Sequence, residues 1–298
     1  MDIRYVQSFV AVVESGSIAE AARRLGLTAT AVAARIRSLE ESLGTTLIQR
    51  SGRNVGPTAE GMKVLDSAHA LLRAVRDMQA IAQDGQMQVG ELRVGVFQSA
   101  MVSVLPSVLE RVYASYPDLK IFVDTGSSVD LCKKVCSGEL DVAIVVEPQF
   151  AMGKTCEWSP LTEEPLIVVA HESMAGRDAH QLLLSEPFVR YARSVLGGQL
   201  ADRYLRDNNL HPRQRLEIDG LLAIATLVDK GLGVSLVPDW PSLWKSGLAI
   251  ARVPLPERAP VRRIGLAIAR QSPRFALVKL FAEAAATTFN RPYDDALS

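Results

Sequence analysis

The chain has 298 residues, 48% of them hydrophobic and 22% charged, with 33 basic side chains against 33 acidic ones. This length exceeds one ordinary domain and predicts two or three. A net charge of zero argues against a non-specific nucleic-acid coat or a membrane-surface binder, although DNA binding needs only a local basic patch.

Residues 2–15 carry Val6, Phe9, Val10 and Val13 at helical spacing. Ser17 stands where an N-cap hydroxyl belongs, ahead of good helix formers, and Gly26 can take the left-handed conformation that ends the helix after Leu25. Thr28 can cap the next helix. There Val32, Ile36, Leu39 and Leu43 form an apolar stripe, and Thr30, Ala33, Ala34, Arg37 and Glu41 lie opposite. From spacing alone the pair fits a plain helix hairpin as well as a helix-turn-helix. Thr46–Arg50 and Arg53–Gly56 then read as two short strands around a Ser51-Gly52 turn. Pro57 ends the ribbon and Thr58 caps a new helix. Three helices followed by a hairpin make a winged helix-turn-helix. Residues 1–58 hold seven Arg against five acids and no Lys, a mild basic excess.

At this point the chain resembles the LysR-type transcriptional regulators. The resemblance rests on Phe9, Val13, Gly16, Ser17, Ala21, Ala22, Leu25, Ala31, Val32, Ile36, Leu39, Glu40, Leu43, Gly44, Leu47, Arg50, Arg53, Thr58 and Gly61. It implies a DNA-binding head at residues 1–58, with Ser17, Thr28, Thr30, Ala33, Ala34, Arg35, Arg37, Arg50, Arg53 and Asn54 as candidate DNA contacts. The family usually presents a Gln, a Ser and an Arg or Lys on the first two turns of its recognition helix. Here Ala29, Ala33 and Ala34 stand at those positions. Bidentate Gln–adenine and Arg–guanine contacts each carry about 1–3 kcal/mol of direct readout, and most of that is missing.

From Thr58 to about Gln83 there is no Pro, and Gly61 is the one Gly. Leu65, Ala68, Leu72 and Val75 fall on heptad seam positions. A helix this long usually buries its stripe against a second copy, with packing inside the same chain as the alternative, so residues 59–88 are expected to form a linker and dimerisation helix. The resemblance implies the same, with dimers or tetramers as the assembly. A polar, Gly-containing break at 84–91 follows.

Beyond it, β-branched runs at Leu92–Phe97, Lys120–Asp124 and Asp141–Val146 alternate with helical patterns at Val102–Ser115 and Val129–Ser137. A second set of strands follows at Leu166–Ala170, Phe188–Tyr191, Arg215–Ile218 and Gly233–Val237, with helices at Leu196–Asn208 and Leu221–Lys230. Arg263–Ala269 adds one more strand and Pro273–Thr288 a last helix. This is the signature of βαβ units and a parallel sheet. The fold class expected for the whole chain is α/β: a winged head, a long linker helix and a two-lobed, periplasmic-binding-protein-like effector domain at 89–298. Lobe I takes about 89–163 and 267–290, and lobe II about 164–266. The LysR effector half shows the same plan, and its marks occur at Gly138–Ile144 and Gly231–Pro238. Residues after Asn290 read as a frayed tail.

Ligands in open α/β sheets bind outside the carboxyl ends of the strands. That rule nominates Gln98, Ser99 and Ala100, then Thr125, Ser127 and Ser128, then Glu147. Across the cleft it nominates Arg190, Tyr191, Arg193, Ser194 and Asp219, and Pro238 is added from the family mark. Hydroxyls at helix N-termini suit an anion, while Glu147 and Asp219 suit a ligand bearing a donor or an internal Arg–acid pair. Ser and Thr at such positions also cap helices. Cys132 and Cys136 share a helix face beside apolar positions and read as buried and inert, whereas Cys156 in a polar stretch reads as the more exposed thiol. The four His are scattered, and no phosphate loop, dinucleotide fingerprint or nucleophile elbow is present. Neither a metal, a cofactor nor an enzymatic activity is therefore expected. The start Met-Asp-Ile-Arg lacks a basic region leading into an apolar core, so a cytoplasmic location is expected. The expected partners are double-stranded promoter DNA at a pseudo-palindromic site, a small-molecule effector and further copies of the chain, with no membrane. The alternative from another class is a cytoplasmic solute-binding clamshell with no gene-regulatory role.

Overall fold

The computed structural model describes residues 1–51, 54–82, 91–152, 155–240, 247–256, 259–270, 272 and 274–289. The chain divides into two compact units, Met1–Gly85 and Gln86–Ser298.

The first unit opens with α1 (Ile3–Ser15), α2 (Ile18–Leu25) and α3 (Ala29–Leu43). Their ends are fixed locally. Asp2, Ser17 and Thr28 accept hydrogen bonds from first-turn N–H groups, and Gly16, Gly26 and Gly44 close the helices in the left-handed region. Val6, Phe9, Val10 and Val12 of α1 pack with Ala21, Ala22, Val32, Ile36 and Leu39 to form the core. Leu43 departs from the expected stripe. It is exposed in the last turn, beyond the reach of the small bundle. The wing is an antiparallel pair, β1 (Ile48–Ser51) with β2 (Asn54–Pro57). Helix α4 (Ala59–Ala82) follows, its first turn capped by the Thr58 hydroxyl at 2.9 Å from the Gly61 N–H. Gly61 lets α4 lie against β1, because a Cβ there would sit 2.0 Å from the Leu47 carbonyl oxygen.

The predicted seam of α4 is split. Ala68 is buried, and Val64, Leu65 and Leu72 pack with it against Val6, Phe9 and Val10 of the same chain, so the near half of the stripe is already covered. Val75 is half-buried, while Leu71 and Met78 are exposed. The head and the long helix are therefore one compact unit rather than two.

The second unit holds β3 (Glu91–Val96), α5 (Gln98–Ser103), α6 (Leu105–Ser115), β4 (Lys120–Thr125), α7 (Ser128–Cys136), β5 (Val142–Val146) and β6 (Cys156–His171). Next come α8 (Ala179–Ser185), β7 (Phe188–Tyr191), α9 (Leu196–Asp207), β8 (Gln214–Ile218), α10 (Leu221–Asp229), β9 (Ser235–Pro238), β10 (Ile250–Pro254), β11 (Val261–Ala269) and α12 (Phe275–Thr288). The main sheet has the order β10-β6-β11-β5-β3-β4, with β9 also paired to β6. It is mixed, not parallel as expected. Strand β3 runs parallel to β4 and β5, but β11 returns antiparallel to β5 and β6. Two long strands that cross between the lobes cause this. The first part of β6 pairs with β11 in lobe I, and its second part pairs with β9 and β10 in lobe II. The stretch 156–165 carries no strand signal in the sequence, because Glu157, Ser159, Pro160 and the Glu163-Glu164 pair interrupt any apolar run. Each lobe buries its own core, around Val94, Ile144 and Phe281 in lobe I and around Leu166, Phe188 and Ile224 in lobe II.

Cys132 is buried as its position suggested, but the other two cysteines depart from the sequence expectation. Cys156 is buried at the start of β6 and forms a disulfide with Cys136 at the end of α7. The polar residues around Cys156 point away from the core on alternate strand positions, which hid its burial. Cys132 is the free thiol; burial pushes it up to about 11.

Candidate functional site: a DNA-facing helix and an interlobe cleft

Helix α3 presents Thr28, Ala29, Thr30, Ala34 and Arg37 to solvent, with Ala33 half-buried among them. This surface is small and nearly uncharged. Ser17 and Thr28 have their hydroxyls engaged as N-caps, to the Glu20 and Ala31 N–H groups. Arg35 lies off this face, because two residues on a helix turn a side chain well away from Arg37, and its charge acts on Asp2 instead. Arg50 and Asn54 supply backbone to the wing ladder, and Arg53 lies outside the described residues. Sequence reasoning gave Glu40 no role. Its Oε1 accepts from the N–H groups of Leu47 and Ile48 at 2.8 and 3.2 Å, tying the wing to the end of α3.

In the second unit a cavity of about 550 Å³ opens between the lobes. Gln98, Ser99, Thr125, Ser127, Ser128, Tyr191, Ser194 and Asp219 line it, as the strand-end rule suggested. The hydroxyls have local work as well: Ser127 caps α7, and the Ser128 Oγ accepts from the Val146 N–H at 3.1 Å.

Five nominated residues do not line the cavity. Ala100 is buried inside lobe I, and Pro238 is buried against Leu166. Glu147 pairs with Arg263 on the crossing strands. Arg190 is held by Asp202 and Gln214, at 2.8 and 2.7 Å, over the Phe188 ring. Arg193 pairs with Glu217, whose carboxyl is held down to about 2 by the hydrogen bonds from Arg193. In each Arg case a neighbouring acid in the same lobe claims the guanidinium before a ligand can.

The residue that sequence reasoning missed is Arg262. Strands β6 and β11 place Arg262 opposite Glu164 and Arg263 opposite Glu163. Alternation sends the first pair inward and the second outward. Arg262 and Glu164 are 3% and 6% exposed, and the Arg262 Nε donates to Glu164 Oε2 at 2.8 Å. Arg262 also donates to the Ser99 Oγ of lobe I at 3.5 Å, its charge acts on the Tyr191 phenol of lobe II, and it stacks over the Phe97 ring. One guanidinium thus joins both lobes at the cleft floor. Burial pushes the Glu164 carboxyl up, against the pull of Arg262, and likewise pushes the Tyr191 phenol up. A doublet of bases and a doublet of acids that pair across two strands was the available signal, but it appears only once the register is known.

The family profile described as "LysR substrate binding domain" matches residues 85–290, and that described as "Bacterial regulatory helix-turn-helix protein, lysR family" matches residues 3–62. The chain belongs to the LysR family of bacterial transcriptional regulators. Among its LysR relatives, the HTH-type transcriptional regulator CzcR of Bacillus thuringiensis is 29% identical over 80% of this chain and 78% of its own length. The Hca operon transcriptional activator HcaR of Escherichia coli is 28% identical over 85% and 86%. Among solved structures, full-length CbnR in complex with its target DNA aligns with TM-score 0.69 and 22% identity, over 97% of this chain and all of that one (100%). A full-length OxyR variant from Pseudomonas aeruginosa aligns with TM-score 0.70 and 21% identity over 96% and 94%. At these identities the two structures speak for the shared LysR fold. As a LysR regulator the chain binds DNA through its head and carries an effector-binding half. That sets aside the reading of a solute-binding clamshell without regulatory role. No helix among the described residues is long and apolar enough to cross a membrane.

Proposed function

We propose that the exposed face of α3 enters a major groove and that a small molecule bound in the interlobe cavity sets the regulator's activity. The observation that carries this reading is the cleft floor. A buried guanidinium that touches both lobes gives a ligand two lobe arrangements to discriminate, and unequal affinity for the two is what a response requires.

On the DNA side, Thr28, Thr30 and Arg37 are the polar groups that α3 offers, with alanine methyls between them. Specificity then leans on thymine methyl contacts and on the wing residues Arg53 and Asn54 in a narrow A·T minor groove. It leans also on half-site spacing set by a homo-oligomer, which exposed Leu71 and Met78 on α4 support. Arg50 is assigned a phosphate contact. The location proposed is the cytoplasm, and no catalytic role is proposed.

A mobility-shift assay on DNA flanking the gene tests the regulator reading; no shift of any promoter fragment at low salt overturns it. A base-substitution scan of the bound site tests the readout. Dominant loss at G·C positions under α3 would refute reading through methyl contacts.

A further inference from the structure

The cleft carries an unusual charge pattern for a cavity flanked by helix N-termini. The charged side chains lining it are Arg262 and Asp219. Arg262 is neutralised by Glu164, which the two crossing strands bury with it. The other bases nominated for the cleft, Arg190 and Arg193, are committed to Asp202 and Glu217 outside the cavity. Asp219 has no hydrogen-bond or ion-pair partner among the described residues, and it is exposed at the cavity wall. Among the described residues the cavity therefore presents one uncommitted formal charge, and it is negative.

Beside that carboxylate the backbone offers the opposite polarity. Helices α9 and α10 both begin at the cavity, with Val195 and Gly220 as N-caps, and neither has a side-chain cap. The first N–H groups of a helix have no partner within it, so these two ends hold donors for an anion. Gly198 keeps the α9 end tight against the close of β7, since a Cβ there would meet the Ala192 carbonyl oxygen at 1.9 Å. Within the floor, Ser99 and Tyr191 are 9% and 6% exposed and place polar atoms along the same wall. The remaining surface is apolar, from Phe97, Met101, Val129, Val146 and Leu196.

We infer that the cleft is built for a small zwitterion, an α-amino acid with an apolar side chain, whose carboxylate meets the open ends of α9 and α10 and whose ammonium meets Asp219. A plain carboxylate satisfies the helix ends but stands beside an unpaired acid and finds no free cation. A plain amine satisfies Asp219 and leaves the helix donors unmatched. A zwitterion satisfies both, because it carries its two opposite charges close together, and Asp219 stands two residues before Leu221, the first residue of α10. The apolar lining then selects the side chain. A cavity of about 550 Å³ lies within the ordinary range for small-molecule sites, about 300–1,000 Å³.

This inference rests on the proposal that the cleft is the effector site, and the test separates the two. Isothermal calorimetry on the full chain uses leucine and phenylalanine. Isocaproate and phenylpropionate serve as their deaminated counterparts, and isoamylamine and phenylethylamine as their decarboxylated ones. At least one amino acid is expected to bind about 10- to 100-fold more tightly than either counterpart. Asp219→Asn, at an exposed position that leaves the fold intact, should lower amino-acid affinity by a similar factor and leave or improve that of the matching carboxylate. Equal binding of a carboxylate and its amino acid, or an Asp219→Asn variant that binds the amino acid unchanged, overturns the inference. Binding of carboxylates or amines alone that is lost on filling the cavity with Ser194→Trp overturns it too, while the effector-cleft reading survives. Binding by none of the probes overturns the inference, while the effector-cleft reading survives.

Discussion

The exposed face of α3 and the floor of the cleft hold their functional groups by opposite means. On α3 the side chains are short, solvent-facing and placed by helical period alone, with buried Val32, Ile36 and Leu39 fixing which face is free. At the floor of the cleft the two central groups, Arg262 and Glu164, are long, charged and buried, and they are placed by a cross-strand pairing of residues 98 positions apart. The difference teaches where a change will register. A substitution on the α3 face alters binding and barely touches the fold. A substitution at the floor alters the fold first, because a buried charge cannot be left alone.

The sharpest break of this contrast is Arg262→Ala. It leaves Glu164 buried without its partner and should cost about 3–5 kcal/mol in denaturant unfolding of the second unit. The pairwise replacement Arg262→Met with Glu164→Leu should recover most of that loss. If Arg262→Ala shifts stability no more than a surface change does, the floor is not held by this pair.

Glu40→Ala comes next. It removes the acceptor of two backbone N–H groups at the wing and should cost about 1–3 kcal/mol, read as an earlier melt of the first unit. Hydrogen exchange at Leu47 and Ile48 locates the change. Arg37→Ala, by contrast, should leave the melting curve in place and weaken DNA binding by about 1–3 kcal/mol. A matching loss of stability would erase the distinction between the two regions.

The smallest effect is expected at the exposed Arg193–Glu217 pair, which lies outside the cavity. Glu217 is held to about 2, below its ordinary 4.5, so its contribution is present above the ordinary value and is lost as pH falls through about 2. Arg193→Ala should return the Glu217 titration, followed by carbon-detected NMR, toward the ordinary carboxyl range. An effector titration of the same variant should be unchanged, in contrast to Asp219→Asn.

Much of the chain was legible because its signals are local. Ser17, Thr28 and Thr58 cap helices where their positions suggested, Gly26 ends one in the left-handed region, and the apolar periods marked the strands of both lobes. What failed did so for one reason. The crossing part of β6 lacks an apolar period because it lies between lobes, where one side of the strand meets polar partners rather than core. The same circumstance misled the reading of Cys156, and it hid Glu164 and Arg262 inside doublets that resemble ordinary surface charge. Arg190 and Arg193 lie at the end of β7, as their positions suggest, but acids from α9 and β8 pair with them outside the cavity.

The sequence by itself determined a winged head, a long helix and two α/β lobes of a LysR regulator, and the loops that border its cleft. Helical and strand periods, caps and glycine turns act within a few residues of one another, so they can be read without coordinates. The tertiary structure alone decided which charges remain free. Ion pairing in a folded chain joins residues far apart in sequence, and among the described residues it left Asp219 rather than any arginine as the uncommitted charge in the cleft.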